Sequence, residues 1–441
     1  MNQLDNQVFQ ERRNNFLSKL DGRAAIIPGA KLVKHHTDCE YPFRQESNFW
    51  YLTGFDEPDA IALFLSHKPK GERYILFVHP KNIESEVWNG FRWGTNGAEK
   101  IFKADKSYPI SEFEKELPNY LMGADEIVFP VGKYPEIEHI VLSLWAKQID
   151  NYSRIGRAPR AIRPLGMFLN QMRLIKSEYE ISRMREAVLI SAEAHELVRL
   201  NVGNKKHEKQ IQGLLEGFFL EKGARGPAYN SIVASGDNAC VLHYTANNSE
   251  LKKDDLLLVD AGCSLQDYYN GDITRTFPIG GKFSGEQRAI YEIVLEAQKK
   301  ALRSVVIGMS SSDIHNEALR VIIEGLLEIN LLRGSVDEII ENCSYKHFYM
   351  HKTGHWLGLD VHDVGAYRLG AYEVLLRDGM ILTVEPGIYI SDRMPIPKGQ
   401  PEIPDRWKGI GIRIEDDVLV NGQCPEILSS VACKEIADLE R

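Results

Sequence analysis

The chain has 441 residues, of which 43% are hydrophobic and 26% are charged, and its formal net charge is −9. This size favours two globular domains, and the acidic balance excludes a surface of clustered lysines and arginines for nucleic acid. Apolar runs such as LLLV fall far short of the roughly 20 residues that a membrane-spanning helix needs. We therefore expect neither nucleic-acid nor membrane partners.

The cysteine pattern bears on the compartment. The six cysteines are scattered, without any Cys-x-x-Cys pair, and the residues after Met1 (NQLDNQVFQERR) are polar. Free thiols and the lack of an apolar leader are typical of a reducing compartment. We therefore expect a cytoplasmic protein.

Residues 1–174 are predicted to form an α/β domain, because short apolar strands alternate there with helical stretches. Strands are expected at AAIIPG, IALFLS, YILFVHP and EIVFP, and helices over 8–20 and 135–149. The aromatic stretch at 41–60 is expected to form a core strand and turn. Trp88 lies in a glycine-rich stretch that indicates a loop, and exposed loop tryptophans are typical of subunit or substrate interfaces.

A second domain is predicted over 175–441. Ser177 and Glu180 form a capping box that begins a long amphipathic helix, which is expected to end near Asn201. A second helix over about 206–222 and the strands DLLLVDAGC and DITRTFPIG follow.

The same order of elements then recurs. Ser284 and Gln287 cap a helix, a second helix covers about 312–330, and the strands MILTVEPG and GIRIEDDVLV follow. LKKDDLLLVDAG in the first half also resembles LLRDGMILTVEPG in the second. The repeat predicts a pseudo-twofold domain with paired strands at its centre and helices outside. The alternative is a chance similarity between two amphipathic hairpins.

Histidines are concentrated in the second half of this repeat. Four of the 13 histidines fall within 16 residues, at His347, His351, His355 and His362. Because an imidazole is costly to bury unless its ring nitrogens are bonded, the cluster indicates a functional site. The alternative is that some of these histidines are hydrogen-bonded core residues and the others are solvated.

Carboxylates are predicted at the strand ends of the repeat. Asp260, Asp272 and Glu385 end or begin strands, and Glu415 lies within GIRIED. Unpaired carboxylates at inward positions cost several kcal/mol each, so we expect cations among them. With His355 they make an oxygen-rich set suited to two divalent ions, with Mn²⁺ favoured and Co²⁺, Zn²⁺ or Fe²⁺ as alternatives.

The expected chemistry is metal-assisted hydrolysis. Two such ions about 3.5 Å apart would share a hydroxide formed at neutral pH, able to attack a carbonyl or phosphoryl group. G-x-S-x-G, the P-loop and H-E-x-x-H do not occur in the sequence. A phosphohydrolase is an alternative, although no cluster of Arg and Lys accompanies the site.

The remaining polar residues are expected to orient ligands or to face the substrate. His243, His351 and His362 are assigned this role, because a metal-bound imidazole and a developing oxyanion both need partners. Arg413 shares a strand face with Glu415, so it could fix that carboxylate or balance its charge. The alternative for Arg413 is a surface ion pair.

Several motifs resemble one known family. HYTANN, VDAGC, GDITRTFP, HWLGLDVHDVG, LTVEPGIYI and GIGIRIEDD look like the aminopeptidase P enzymes, which belong to the metallopeptidases with the pita-bread fold. YPFRQESNFWYLTGFDEP is similar to the first domain of those enzymes, so the resemblance covers nearly the whole chain. The metal ligands of the family fall on Asp260, Asp272, His355, Glu385 and Glu415.

The resemblance implies a Xaa-Pro aminopeptidase, which removes the residue that precedes proline at the N-terminus of a peptide. It implies that Glu385 assists proton transfer, and that the three histidines His243, His351 and His362 stabilise the tetrahedral species and contact the proline side. The alternatives are prolidase, which acts on Xaa-Pro dipeptides, and a non-enzymatic binding protein, which the complete ligand set disfavours.

The resemblance also implies substrate contacts and an oligomer. Tyr229 and Tyr389 match positions near the substrate. Trp88 matches a position that reaches across a subunit contact, so a homodimer or homotetramer is expected.

Two features depart from the family pattern. Eleven residues separate Asp260 from Asp272, one more than is usual in the family. We expect the extra residue in the turn LQDYYNG, because an insertion within a strand would point one aspartate to the opposite face. Lys352 stands where relatives commonly have glycine, so a positive φ there would strain the backbone beside His351.

Overall fold

The computed structural model describes residues 3–391, 393 and 395–440. The chain divides into two compact units, an N-terminal unit (Met1–Met172) and a C-terminal unit (Arg173–Arg441). The predicted boundary at residue 174 falls two residues after the end of the first unit. No helix of the described ranges has the length and apolar character that crossing a membrane would require.

The described residues of the N-terminal unit contain seven α-helices and eight strands, and an eighth α-helix begins there and ends at Leu174. The helices are α1 (Gln3–Leu20), α2 (Ser47–Thr53), α3 (Ile83–Asn89), α4 (Gly94–Lys100), α5 (Phe113–Leu121), α6 (Pro135–Asp150), α7 (Tyr152–Ile155) and α8 (Gly166–Leu174). The strands are β1 (Ala24–Pro28), β2 (Lys34–His36), β3 (Cys39–Glu40), β4 (Ile61–Leu65), β5 (Tyr74–Val78), β6 (Lys106–Pro109), β7 (Ile127–Phe129) and β8 (Ile162–Pro164).

Six of these strands form one mixed sheet in the order β6-β5-β4-β1-β7-β8. β4 runs antiparallel to both β1 and β5, and the remaining neighbours are parallel. Alternate residues of β1, β4 and β5 pack on Phe113, Leu117 and Val141 of α5 and α6. The four strands predicted from the sequence therefore lie at the centre of this core.

Two predictions in the N-terminal unit were wrong about local structure. The aromatic stretch forms α2 rather than a strand, with Glu46 accepting a hydrogen bond from the Phe49 amide at 2.7 Å and Gly54 ending the helix in the left-handed conformation. Phe49 is nevertheless buried, as expected. Trp88 lies on the short helix α3 rather than in a loop, and its side chain is 85% exposed.

The C-terminal unit carries the elements of the repeat. Its helices are α9 (Glu178–Asn201), α10 (Glu208–Glu221), α11 (Gly285–Arg303), α12 (Ser311–Glu328), α13 (Val336–Glu341) and α14 (Ile436–Leu439). Its strands are β9 (Gly226–Pro227), β10 (Ile232–Ser235), β11 (Leu256–Asp260), β12 (Cys263–Ser264), β13 (Thr274–Pro278), β14 (Arg368–Leu369), β15 (Tyr372–Glu373), β16 (Ile381–Val384), β17 (Gly387–Ile390), β18 (Ile410–Arg413), β19 (Asp416–Leu419) and β20 (Glu426–Ile427).

The predicted order of elements recurs in this unit. In the first half α9 packs on α10 and β11 pairs with β13, and in the second half α11 packs on α12 and β16 pairs with β19. Ser177 and Ser284 each cap their helix with a complete capping box. The isolated bridge between Thr274 and Glu415 joins the two halves.

One predicted strand is two strands. GIRIEDDVLV was expected to be continuous, but β18 ends at Arg413 and β19 begins at Asp416. β18 pairs with β17, whereas β19 pairs with β16 and β20. Ile414 and Glu415 therefore lie at a change of partner strand.

Candidate metal centre and active site

Two of the predicted ligands, Asp260 and Asp272, come from one antiparallel ladder. β11 and β13 pair in unbroken register up to Asp260 opposite Thr274, and a bridge between Ser264 and Asn270 continues the same register. Asp272 lies two residues from Thr274, so its side chain points to the same face as that of Asp260.

The connection between these aspartates is a tight turn. Within residues 256–278, all of which the structure describes, the ladder contains no bulge. The turn bends at Tyr268, whose φ is 69°, and the backbones on either side approach so closely that a Cβ on Gly262 would lie 1.7 Å from the Gly271 oxygen. The ladder thus stays in register across the connection, and the place of the extra residue within the turn stays a prediction.

The histidine segment runs alongside β16. The Thr383 amide donates to the His355 carbonyl at 2.9 Å, and the Glu385 amide donates to the Thr353 carbonyl at 2.7 Å. Gly354 is required here, because a Cβ would lie 1.9 Å from the Thr383 oxygen. This pairing places the His355 imidazole beside the Glu385 carboxylate, with 3.8 Å between Nε2 and Oε1.

Glu415 reaches the same point from the segment between β18 and β19. Its amide donates to the Thr274 carbonyl at 3.1 Å, and the Thr274 hydroxyl donates to its carboxylate at 2.7 Å. Ligand atoms of Asp272, His355 and Glu415 all lie within 4.8 Å of one another. The carboxylate of Asp272 lies 3.3 Å from Nε2 of His355. The predicted ligands are therefore neighbours around one small volume.

The electrostatics of this cluster favour a cation. Burial, reinforced by the neighbouring carboxylates, raises the pKa of Glu385 to about 7 and raises the pKa of Glu415 well above its ordinary value. Burial lowers the pKa of His355, but Asp272 and Glu385 outweigh it and raise this pKa to about 9. Carboxylates gathered in this way hold protons unless a cation neutralises them.

The donor atoms also fit a metal. Nδ1 of His355 is bonded to the Trp356 carbonyl at 3.1 Å, so this nitrogen carries the proton and Nε2 is left to face Asp272 and Glu385. Carboxylate oxygens with one imidazole suit hard or borderline divalent ions. The residues present therefore fit the group that the sequence predicted.

Tyr229 lies within this cluster. Its hydroxyl is 2.6 Å from a carboxylate oxygen of Asp260 and also contacts Asp272. Burial and these two carboxylates raise the pKa of Tyr229 well above its ordinary value. Tyr229 is therefore a neutral phenol that bridges the two aspartates.

Arg413 is a buried residue and does not form the surface ion pair considered as the alternative. Its guanidinium contacts the Asp260 carboxylate at 2.5 Å, the Thr274 hydroxyl at 3.0 Å and the Tyr389 hydroxyl at 2.9 Å. The expected direct contact with Glu415 is replaced by one through Thr274, which bonds both side chains. The reason is the change of strand after Arg413, which separates the two residues.

His351 is held as a neutral imidazole. Its Nδ1 is 2.7 Å from the Lys352 carbonyl, and its Nε2 is 2.9 Å from the Tyr389 hydroxyl. Burial, and then the charge of Arg413, lower the pKa of His351 to about 3. Lys352 does not have a positive φ, so the strain considered for this position does not arise.

The other predicted histidines differ in their contacts. The His362 ring packs on the His355 ring, with 4.2 Å between centroids, and its side chain faces solvent. Burial, and then the charges of His355 and the exposed His243, lower the pKa of His362. Trp88 belongs to the N-terminal unit.

Sequence reasoning missed two residues of the site. Thr274 connects Glu415 to Arg413, and the buried Asp417 accepts a hydrogen bond from the Asp272 amide at 2.9 Å. Burial, and then the charge of Asp272, raise the pKa of Asp417 well above its ordinary value. Both residues lie two positions after a predicted ligand, so the same alternation of strand faces could have identified them.

Comparison with known proteins places this site in a family. The model of metallopeptidase family M24 matches residues 182–422, which include all the predicted ligands. The chain belongs to metallopeptidase family M24. Residues 9–129 match a second model, the aminopeptidase P N-terminal domain. The predicted family, its metallopeptidase class and its mixed α/β fold are thereby confirmed.

The sequence matches between this M24 chain and its relatives cover its full length. A Xaa-Pro aminopeptidase of Haemophilus influenzae is 42% identical, covering 100% of the chain and 98% of the relative. The Xaa-Pro aminopeptidase of Escherichia coli is 38% identical with the same coverage. The solved aminopeptidase PepP of Pseudomonas aeruginosa is 39% identical, with a TM-score of 0.92 over 98% of this chain and 97% of that one. The M24 chain is therefore a metalloaminopeptidase.

Proposed function

We propose that the chain removes the N-terminal residue from peptides that carry proline at the second position. The observation that carries this proposal is the convergence of Asp260, Asp272, His355, Glu385 and Glu415 on one volume, in a chain whose full-length relatives are named Xaa-Pro aminopeptidases. Prolidase is disfavoured because the relatives bear the aminopeptidase name over the whole length of the chain.

The proposed cofactor is a pair of divalent metal ions, with Mn²⁺ favoured over Co²⁺, Zn²⁺ or Fe²⁺. Its support is the ligand chemistry, in which carboxylate oxygens outnumber the single nitrogen of His355. When bound, such ions polarise the scissile carbonyl and activate water at neutral pH. The ligand carboxylates would hold these ions, whose positive charge would oppose the burial and the carboxylate repulsion that raise the pKa of Glu385 and Glu415.

The side chains around the ligands are assigned to proton transfer and substrate contact. Glu385 is assigned to the proton that moves from the attacking water to the leaving amine, because its carboxylate lies beside His355 within the ligand cluster. His362, whose ring contacts that of His355, and the exposed His243 are assigned to the proline side of the substrate.

The charged and phenolic groups fix the geometry of this site. Arg413 balances the charge of Asp260 and orients the Tyr389 hydroxyl, which in turn holds His351. Tyr229 lies against the aspartates and is assigned to the substrate amino end.

The remaining assignments concern the assembly and the compartment. We propose a homodimer or homotetramer in which Trp88 contacts substrate or a partner subunit, since Ile83, Val87 and Trp88 are all about four-fifths exposed on α3. A cytoplasmic location is proposed because the six cysteines are free thiols.

The test is the release of free amino acid from a Xaa-Pro-Yaa peptide by the Mn²⁺-loaded protein. We expect cleavage of the tripeptide, and a fall in kcat/KM of roughly a hundredfold or more in Asp272→Ala, because a ligand is lost. Asp254→Ala, at an exposed position near the same ladder, is the matched control and should retain full activity. Cleavage of Xaa-Pro dipeptides alone, or undiminished activity of Asp272→Ala, would contradict the proposal.

A further inference from the structure

A buried cluster of charges lies next to His362 in the sequence. Arg173, Lys176 and Asp363 are 2%, 4% and 9% exposed. The two carboxylate oxygens of Asp363 are bound by different cations, one by Arg173 at 2.5 Å and the other by Lys176 at 3.1 Å. Arg173 also contacts the carboxylate of Asp360 at 2.7 Å. We call these four residues the Asp363 cluster.

The Asp363 cluster anchors the chain on both sides of His362. Asp360 precedes and Asp363 follows this histidine, so Arg173 holds the segment from its two ends. The Asp363 amide donates to the Trp356 carbonyl at 2.8 Å, which closes the segment onto the residue after His355. The position of the His362 ring relative to His355 is thus determined by this anchored loop.

The His362 ring has little else to hold it. Among the described residues no hydrogen-bond partner contacts the ring, and its edge-to-face contact with His355 has 4.2 Å between the ring centroids. An exposed imidazole without a hydrogen bond takes its orientation from its backbone. We propose that Arg173 and Lys176, through Asp363, are positioning residues that set His362 against the substrate, an inference that rests on the proposed function.

The buried cations suit this task better than exposed ones would. A carboxylate with a separate buried cation at each oxygen is fixed in orientation, whereas an exposed pair is flexible and screened by solvent. Removal of one cation leaves Asp363 bonded at one oxygen only, so the loop can shift by a fraction of an ångström or more. Displacements of this order at a group that contacts the reacting atoms reduce turnover strongly.

The test is a double-mutant cycle on the Mn²⁺-loaded full chain with a Xaa-Pro-Yaa peptide. Lys176→Met is expected to lower kcat/KM roughly tenfold or more, mainly through kcat, without loss of bound metal. In a His362→Ala background the same substitution should change kcat/KM by less than about twofold, because the imidazole that it positions is absent. Lys222→Met, which removes an exposed ion pair with Glu193, is the matched control and should leave kcat/KM unchanged.

Other outcomes overturn the inference. Equal losses in both backgrounds, loss of bound metal, or full activity of Lys176→Met would show that the cluster does not act through His362. If Lys176→Met does not fold, Asp360→Asn changes the same anchor at its half-exposed end, and a rate equal to that of the wild type would then overturn the inference. Failure of the wild type to cleave the peptide would overturn the proposed function and this inference together, whereas an active wild type matched by Lys176→Met would overturn the inference alone.

Discussion

At the scale of single residues, the site balances a dense group of carboxylates with few cations. Arg413 contacts the predicted ligand Asp260 from a buried position. Its guanidinium also bonds Thr274 and Tyr389, so one side chain connects residues from both halves of the repeat. The stability of the unit should therefore depend on Arg413 far more than on an ordinary ion pair.

We predict that Arg413→Met lowers the free energy of unfolding of the metal-free protein by about 3 kcal/mol or more, because it leaves the half-buried Asp260 carboxylate without its buried partner. Arg185→Met is the matched control, since Arg185 forms a two-point ion pair with Glu426 at the surface. That variant should lose less than about 1 kcal/mol. Urea unfolding of both variants measures the difference, and equal losses would contradict the buried role of Arg413.

The ligands could be predicted from the sequence, whereas some of their partners could not. Asp260 and Asp272 end and precede apolar strands, and alternation alone assigns both to one face once their register is known. The contact of Arg413 with Asp260 could not be predicted, because it depends on the break between β18 and β19, which no turn residue marks in GIRIED. Thr274 lies two residues after Asp272 and therefore on the same strand face. The sequence would have identified it if threonines had been considered together with the charged residues.

At the scale of elements, the histidine segment is held between β16 and helix α12. Nδ1 of His315 on α12 lies 2.8 Å from the Thr353 hydroxyl, which is also bonded to Tyr349 at 2.6 Å. Burial, and then the charge of Lys352, lower the pKa of His315 to about 4. A neutral imidazole on α12 therefore hydrogen-bonds the segment between His351 and His355.

This support predicts a loss of stability in acid. In the unfolded chain His315 binds a proton near pH 6.5, whereas in the native protein it does so only near pH 4. The neutral imidazole therefore stabilises the native protein fully above pH 6.5, and this stabilisation is lost as the pH falls through 4. Between pH 7 and pH 4.5, His315 should account for roughly 2 to 3 kcal/mol of the decrease in the free energy of unfolding.

The measurement is urea unfolding at both pH values for the wild type and for His315→Gln. The glutamine side chain does not titrate, so the variant should show a smaller decrease than the wild type. His139→Gln, at an exposed position on α6, is the control and should follow the wild type. Identical decreases for the wild type and His315→Gln would show that this histidine does not contribute.

Local sequence signals identified most of these elements but not their partners. The capping boxes at Ser177 and Ser284 are complete within four residues, so they could be read directly. The support of His351 by Tyr389, and of Thr353 by His315, joins residues 38 apart in each case. Such contacts follow from tertiary packing, which the period of apolar residues does not encode.

At the scale of the whole molecule, the repeat of the C-terminal unit explains the composition of the site. Each half contributes an antiparallel strand pair with carboxylates near its end, and the Thr274–Glu415 bridge joins the two pairs. The N-terminal unit was predicted less accurately in detail, because α2 is ended by Gly54 and capped by Glu46 within a stretch whose aromatic content favoured a strand. For this aromatic stretch, the prediction that Phe49 is buried was confirmed, whereas the prediction of a strand was wrong.

The proposed function depends on selectivity for proline at the second position. The most direct measurement compares kcat/KM of the Mn²⁺-loaded wild type on two tripeptides that are identical except for proline or alanine at that position. We predict a preference of roughly tenfold or more for the proline peptide, since a pocket shaped for the ring loses contacts with the smaller side chain. Equal or faster release of the first residue from the alanine peptide would contradict it.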